Sequence, residues 1–353
     1  MKVSTGFGER WLSAIPEQAR LAEEAGFDVI STGELKHNSA LSLTLAAEHT
    51  ERVELSSMTM AFPRSPMVMA QTAWDLQEFS KGRLNLGLGS QVKGHNIRRF
   101  GGTWSPPGRR IEEYVTMMRA VFRSWQDGER PDFVGKDYQY TLMTPAFSPG
   151  PIEYPFPKIS LAAVGPRMAE AAGAVADGLR PHGFTTEKYL RESTLPAVEK
   201  GAKRTGRSLE GFEISVGGFN AFGETQSEVE QAIDALRRPI SFYGSTRSYH
   251  GVFRAHGLES LGMQLHELSV KGEWDKMRDA VTFEHAAEMA NAVTYDDLPK
   301  YAREHFEYAD RISFPMAKRD TASTYGGTGE GDASAPAPSP ERLAWLIKEL
   351  HDI

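Results

Sequence analysis

Arg83-Leu84-Asn85-Leu86-Gly87-Leu88-Gly89-Ser90-Gln91 is the stretch on which the fold turns. Side chains of an extended chain alternate between faces, so Leu84, Leu86 and Leu88 share one side and Asn85, Gly87 and Gly89 the other. A strand with a greasy outer face and a small, polar inner face suits the wall of a barrel sheathed in helices. The two inward glycines near the carboxyl end either leave backbone bare for a flat ring or mark tight packing or a bulge.

Outward from this strand, β-rich runs alternate with helix-patterned ones. Lys2–Phe7 leads into a helix over Ser13–Ala25, with Ser13 as its cap and Gly26 at its end, where positive φ is commonly needed. Phe27–Thr32 reads as the second strand and Ala40–Thr50 as its helix; Arg52–Met60 and Pro66–Phe79 are the third pair. The quoted strand is the fourth, with its helix at Arg109–Trp125. Ile159–Val164, Gly178–Pro181 and Phe212–Phe219 read as the fifth to seventh strands, Thr225–Leu236 as a helix, Arg311–Met316 as the eighth strand and Glu341–His351 as the closing helix. Eight strand-then-helix units with right-handed crossovers close into a (β/α)₈ TIM barrel, an α/β fold. A single domain over 1–320 is expected. Its insertions lie before strand 5 (131–157, rich in Pro, Tyr and Phe, with a hairpin) and before strand 8 (240–281, helical). A flexible linker spans 321–340, and 341–353 packs on the barrel as a C-terminal helix. Gly327-Thr-Gly329-Glu-Gly331 has no strand closely before it, so it reads as linker and not as a nucleotide loop.

Composition narrows the function. Forty basic against 47 acidic residues give a net charge of −7, which leaves no broad basic surface for nucleic acid. Zero cysteines exclude disulfides, a thiolate nucleophile and Cys-ligated metal. No apolar run approaches about 18 residues and no secretory leader is evident, so a cytoplasmic protein without membrane contact is expected.

Barrels place chemistry where strands end. The second strand exits through Glu34-Leu35-Lys36-His37, where Glu34 and His37 are either an acid/base pair or loop charges paired with Lys36. At the fifth exit Gly165 caps and Pro166 starts a helix whose free amides, with Arg167, can hold a phosphate; any βα junction can also look so. The third exit, Ser57-Met58-Thr59-Met60-Ala61-Phe62-Pro63-Arg64-Ser65-Pro66, either pads a ring or is plain core. Arg98 and Arg99 beside Phe100 read as a surface helix face or an anionic site, and Trp11 and Trp104 as packed aromatics or the lining of a pocket mouth. His-Glu-x-x-His zinc spacing and the Gly-x-Ser-x-Gly elbow are missing, and His95 stands where a phosphate loop after Gly89 needs lysine.

The run Asp75–Gln91, with Gly26-Phe27-Asp28, Ser65-Pro66 followed by Ala70-Gln71, and Ala162-Ala163-Val164-Gly165-Pro166 followed by Ala176-Asp177-Gly178, resembles the luciferase-like monooxygenase superfamily. Gly87–Gln91 together with His182-Gly183-Phe184-Thr185-Thr186 is most similar to its coenzyme F420 branch. The resemblance implies a deazaflavin or flavin ring over the third exit, with a non-proline cis peptide at or near Ser57–Met58. It also implies cofactor contacts from Glu34, Ser57, Met58, Gly87, Gly89, Ser90, Gln91 and His182, and a phosphate cradle at Ala163, Val164 and Gly165. Glu34 matches an acid that contacts the deazaflavin in relatives. The chain departs from the family's sugar-phosphate dehydrogenases at Leu35 and Val92, where those enzymes carry catalytic His and Glu; His37 is the remaining candidate base. The implied activity is F420-dependent hydride exchange with a small organic substrate, by a homodimer. The rivals are a two-component monooxygenase, fed reduced FMN by a flavin reductase, and a barrel that binds the cofactor without turnover.

Overall fold

The computed structural model describes residues 1–7, 11–316 and 337–353. Gly327–Gly331 and most of 321–340 lie outside the described residues. Eight parallel strands run in the order β12-β1-β2-β3-β4-β7-β8-β9. These are β1 (Lys2–Gly6), β2 (Val29–Gly33), β3 (Glu54–Met60), β4 (Leu84–Gly89), β7 (Lys158–Ala163), β8 (Gly178–Pro181), β9 (Glu213–Ile214) and β12 (Arg311–Ser313). The end strands meet: Ser215 bridges to Arg311 in parallel, and the Val216 amide donates to the Arg311 carbonyl at 2.7 Å. The chain is therefore an α/β protein with a TIM-barrel-like sheet. By contact density it divides into two compact units, one of Ser4–Arg180 with Ala197–Glu213, the other of Met1–Val3, Pro181–Pro196 and Ile214–Ile353.

In the first unit, parallel registers pair Leu55 with Leu84, Ser56 with Asn85, and Leu86 with Ile159. Leu84, Leu86 and Leu88 are buried as outer-face residues alongside Leu55, Ile159 and Leu161. Burying each such side chain stabilises the fold by about 1.5–3 kcal/mol. The helices start where their caps say. In α2 (Ser39–Glu48) the Asn38 side chain accepts from the Ala40 amide; in α3 (Pro66–Phe79) Ser65 accepts from the Val68 amide and Pro66 takes the first turn. The inner face is polar: Asn85 donates to Glu54 at 2.9 Å and accepts from Ser160 at 2.8 Å, and Arg180 donates to the Ser56 hydroxyl. Polar and charged groups that bond one another stand here where branched aliphatics are usual inside such barrels.

Three expectations need correction. Phe212–Phe219 is not one strand: β9 ends at Ile214, and β10 (Phe219–Gly223) pairs in parallel with β11 (Ala290–Thr294) in a separate two-stranded sheet. Gly218, at φ 95°, breaks the run. Ser13 does not cap the first helix, because Leu12–Ala14 forms a 3₁₀ turn and Ile15–Glu24 begins after Ala14. No cis peptide occurs among the described residues. Through Ser57–Met58 the strand stays extended, paired with Thr32 and Gly33. The 131–157 insertion does carry a hairpin, β5 (Phe133–Val134) with β6 (Gln139–Tyr140), and 240–281 is helical over His250–Ala255, Glu259–Lys271 and Trp274–Ala280.

Candidate active site

The exits of β2, β3, β4 and β7 belong to one unit, and their side chains define its chemistry. Glu34, just past β2, is buried, and both its oxygens are spent. One accepts the Met60 amide at 2.8 Å and Arg64 Nη1 at 2.8 Å; the other accepts Arg64 Nη2 at 2.6 Å. This fork ties the β2 and β3 exits together. Arg64 went unassigned by sequence reasoning, although a lone arginine between Pro63 and Pro66 at a strand exit was its signal. The next loop residues are pinned by Arg99, which donates to the Leu35 carbonyl at 2.5 Å. His37 is half-buried, its ring tilted against the exposed Trp11 at 4.9 Å between centroids.

Ser57 and Met58 lie on opposite faces of β3. The Ser57 hydroxyl sits in a buried chain, accepting from Thr59, which bonds Ser39 at 2.8 Å, and donating to the Gly87 carbonyl at 3.3 Å. A cavity of about 50 Å³ adjoins it, lined by Asn38, Leu43, Met69 and Leu86 among others. Met58 faces inward with Gly33, its register partner on β2. The two inward glycines of β4 divide in role. A Cβ on Gly87 would lie 1.9 Å from the Ser57 carbonyl oxygen and 2.9 Å from Met58 Sδ, so its bareness admits the neighbouring strand. A Cβ on Gly89 would meet only the Ala162 methyl, at 3.8 Å. That backbone is open.

The β4 exit is a built turn. Gln91 adopts φ 55°, rare for a residue with a Cβ, and its side-chain carbonyl accepts the Val92 amide at 2.9 Å while its amide reaches Met60 Sδ at 3.6 Å. Buried Asn96 donates to the carbonyls of Ser90 and Val92 at 3.0 and 3.1 Å and holds the turn. On the adjacent β7, Ala163 is buried, Val164 is half-buried, and Gly165 caps the helix Pro166–Val175 with nothing within 4 Å of where its Cβ would be. The exits of β4 and β7 thus offer uncovered backbone beside a helix N-terminus, and an anionic group there meets amides and the positive end of the helix.

In the other unit His182 follows β8. Its Nδ1 accepts the Phe184 amide at 2.9 Å, and its ring lies 4.5 Å from Tyr243 and 5.5 Å from Tyr249. Desolvation pushes it down to about 4, so the ring is neutral with its proton on Nε2. Burial raises the Tyr249 phenol, which keeps its proton. Among the described residues no three or more His, Asp and Glu groups gather as a metal site, and no helix is long and apolar enough to cross a membrane.

A TIM-like barrel with bare backbone and a helix N-terminus at neighbouring strand exits has the frame on which barrel enzymes build their sites. The luciferase-like monooxygenase family model matches residues 4–310, and the chain belongs to that family. It is 41% identical over 308 residues to an uncharacterized protein of Mycobacterium tuberculosis, covering 85% of this chain and 91% of that one. It is 28% identical over 248 residues to the 5,10-methylenetetrahydromethanopterin reductase of Methanolobus tindarius, 69% and 71% of the two chains. Its fold is similar to that of the coenzyme F420 dependent tetrahydromethanopterin reductase from Methanopyrus kandleri, with a TM-score of 0.71, 18% identity, and 100% and 99% coverage. The protein is a luciferase-like oxidoreductase.

Proposed function

We propose that the chain is a coenzyme F420-dependent oxidoreductase acting on a small organic substrate. The observation that carries this reading is the open backbone at Gly89 and Gly165 on adjacent strand exits, where an added Cβ would touch only the Ala162 methyl in the first case and nothing in the second. A planar ring needs such a floor, and a phosphate-bearing tail needs the amides of Ala163, Val164 and Gly165 at the head of the Pro166 helix. The residues present fit the group. Bound deazaflavin supplies the hydride chemistry. The chain's own share is to seat the ring against Gly89, Ser90 and Gln91, with Met58 and Met60 as its β3 flank, and to exclude water.

Glu34 enters as a positioning group. With both oxygens engaged it fixes the height of Met60 and Arg64 relative to the β2 loop, and His37 on that loop is the candidate proton carrier. The 28% identity to a methylenetetrahydromethanopterin reductase supports a reductase over a monooxygenase. Titration of the purified protein with F420 and with FMN, followed by fluorescence quenching, tests this. Saturable binding of F420 alone is the expected result. Binding of FMN alone transfers the chain to the monooxygenase reading, with a flavin reductase as partner. Binding of neither removes the cofactor assignment.

A further inference from the structure

The His182 neighbourhood carries hydrogen-bonding capacity that the fold does not use. Nδ1 is spent on the Phe184 amide, which fixes the single proton of the neutral ring on Nε2. Neither Nε2 nor the Tyr249 hydroxyl has a partner among the described residues, and neither is sealed from solvent. The two rings are 5.5 Å apart and tilted by 48°. Tyr243 closes one side, edge-on to His182, and Phe184 stacks on Tyr249 at 6.1 Å. His182 directly follows a barrel strand, where such enzymes gather their substrate contacts.

Two uncharged donors among aromatic walls suit an oxygen that is itself uncharged and has two lone pairs to fill. A carboxylate or phosphate would call for a cation, and a hydrocarbon would leave both donors idle. We propose that His182 Nε2–H and the Tyr249 hydroxyl together hold the carbonyl or hydroxyl oxygen of a neutral substrate, a ketone or secondary alcohol with an apolar or aromatic substituent against Tyr243 and Phe184. The substrate class rests on the oxidoreductase reading above; the oxygen-binding pair does not.

The test uses the full chain without cofactor, labelled with ¹⁵N at histidine, and acetophenone as the probe. The His182 side-chain signal is assigned by its loss in His182→Phe. Acetophenone should shift that signal saturably, α-methylstyrene, which has the same shape without the oxygen, should not, and Tyr249→Phe should weaken acetophenone binding about threefold to tenfold, the worth of one neutral hydrogen bond. Equal shifts from the two probes, or none from either up to the solubility limit, overturn the proposal. F420 titration of Tyr249→Phe separates the remaining cases. Unchanged affinity keeps the pair for substrate, whereas a tenfold loss gives it to the cofactor and overturns the substrate assignment. If wild-type protein binds acetophenone through the pair but never binds F420, the cofactor reading alone falls.

Discussion

Replacing Gly87 by alanine separates packing from cofactor binding on a single strand. The added methyl carbon would sit 1.9 Å from the Ser57 carbonyl oxygen, against a normal carbon–oxygen approach of about 3.3 Å, and 2.9 Å from Met58 Sδ. The sulfur can swing aside. The carbonyl cannot, because Ser57 and Met58 are held in register with Thr32 and Gly33, and the same oxygen accepts from Arg180 at 3.3 Å. Backbone displacement of that kind costs about 3 kcal/mol, the upper end of ordinary overpacking. In a chain of this size that lowers the melting temperature by about 4 °C. At Gly89 an added Cβ meets only a methyl at 3.8 Å, and φ there is not positive, so Gly89→Ala should melt within about 1 °C of wild type. Gly89→Leu should also fold, with native circular dichroism, yet lose F420 binding because the side chain stands where the ring lies. Differential scanning calorimetry and the fluorescence titration give both readouts. Gly87→Ala melting like wild type, or Gly89→Leu keeping full affinity, would refute the division of roles.

Other consequences follow from single contacts. Glu34→Gln keeps the shape of the fork but turns a donor toward Arg64 or Met60; with Arg64 partly exposed, a loss of about 1–3 kcal/mol is expected, seen as a lower urea midpoint. His182 is lowered from 6.5 to about 4, so between those values the unfolded chain binds a proton that the native chain refuses. Its share of stability is complete above 6.5 and is lost as pH falls toward 4; denaturant melts across this range should show the wild-type slope flattened in His182→Phe. His256 bridges Thr186 and Glu288 at 2.7 Å each, so His256→Ala should cost about 1–3 kcal/mol and speed amide exchange at Tyr189, whose N–H caps on Thr186.

The barrel was legible because its signals are redundant. In β4 the leucine alternation states both the strand and its outer face, and the bounds of Pro66–Phe79 and Gly178–Pro181 agree with the structure because Pro, Ser and Gly punctuate them. The seventh strand was misjudged because a two-residue strand has no periodicity to read; Gly217-Gly218 was the available sign that Phe212–Phe219 could not run straight through. Ala290–Thr294 was missed because Ala-Asn-Ala continues the composition of the helix before it. At the site, sequence placed Glu34, Gly89, Gln91 and Gly165 at strand exits. It could not foresee partners distant in the chain, such as Arg64 on Glu34, or Tyr249 beside His182.

Those partners change the chemistry that the exits can perform. With three hydrogen bonds, two of them from one guanidinium, the Glu34 carboxylate has both oxygens occupied, and we read it as a group that shapes the site. His37, packed on Trp11 and with no hydrogen bond among the described residues, is not committed in that way. The two roles leave different traces. Glu34→Gln should move stability and cofactor affinity together. His37→Ala should slow turnover with F420 affinity held. If Glu34→Gln slowed turnover with stability and affinity held, and His37→Ala left turnover unchanged, the acid/base work would belong to the buried carboxylate, and its fork with Arg64 would have to open during the reaction.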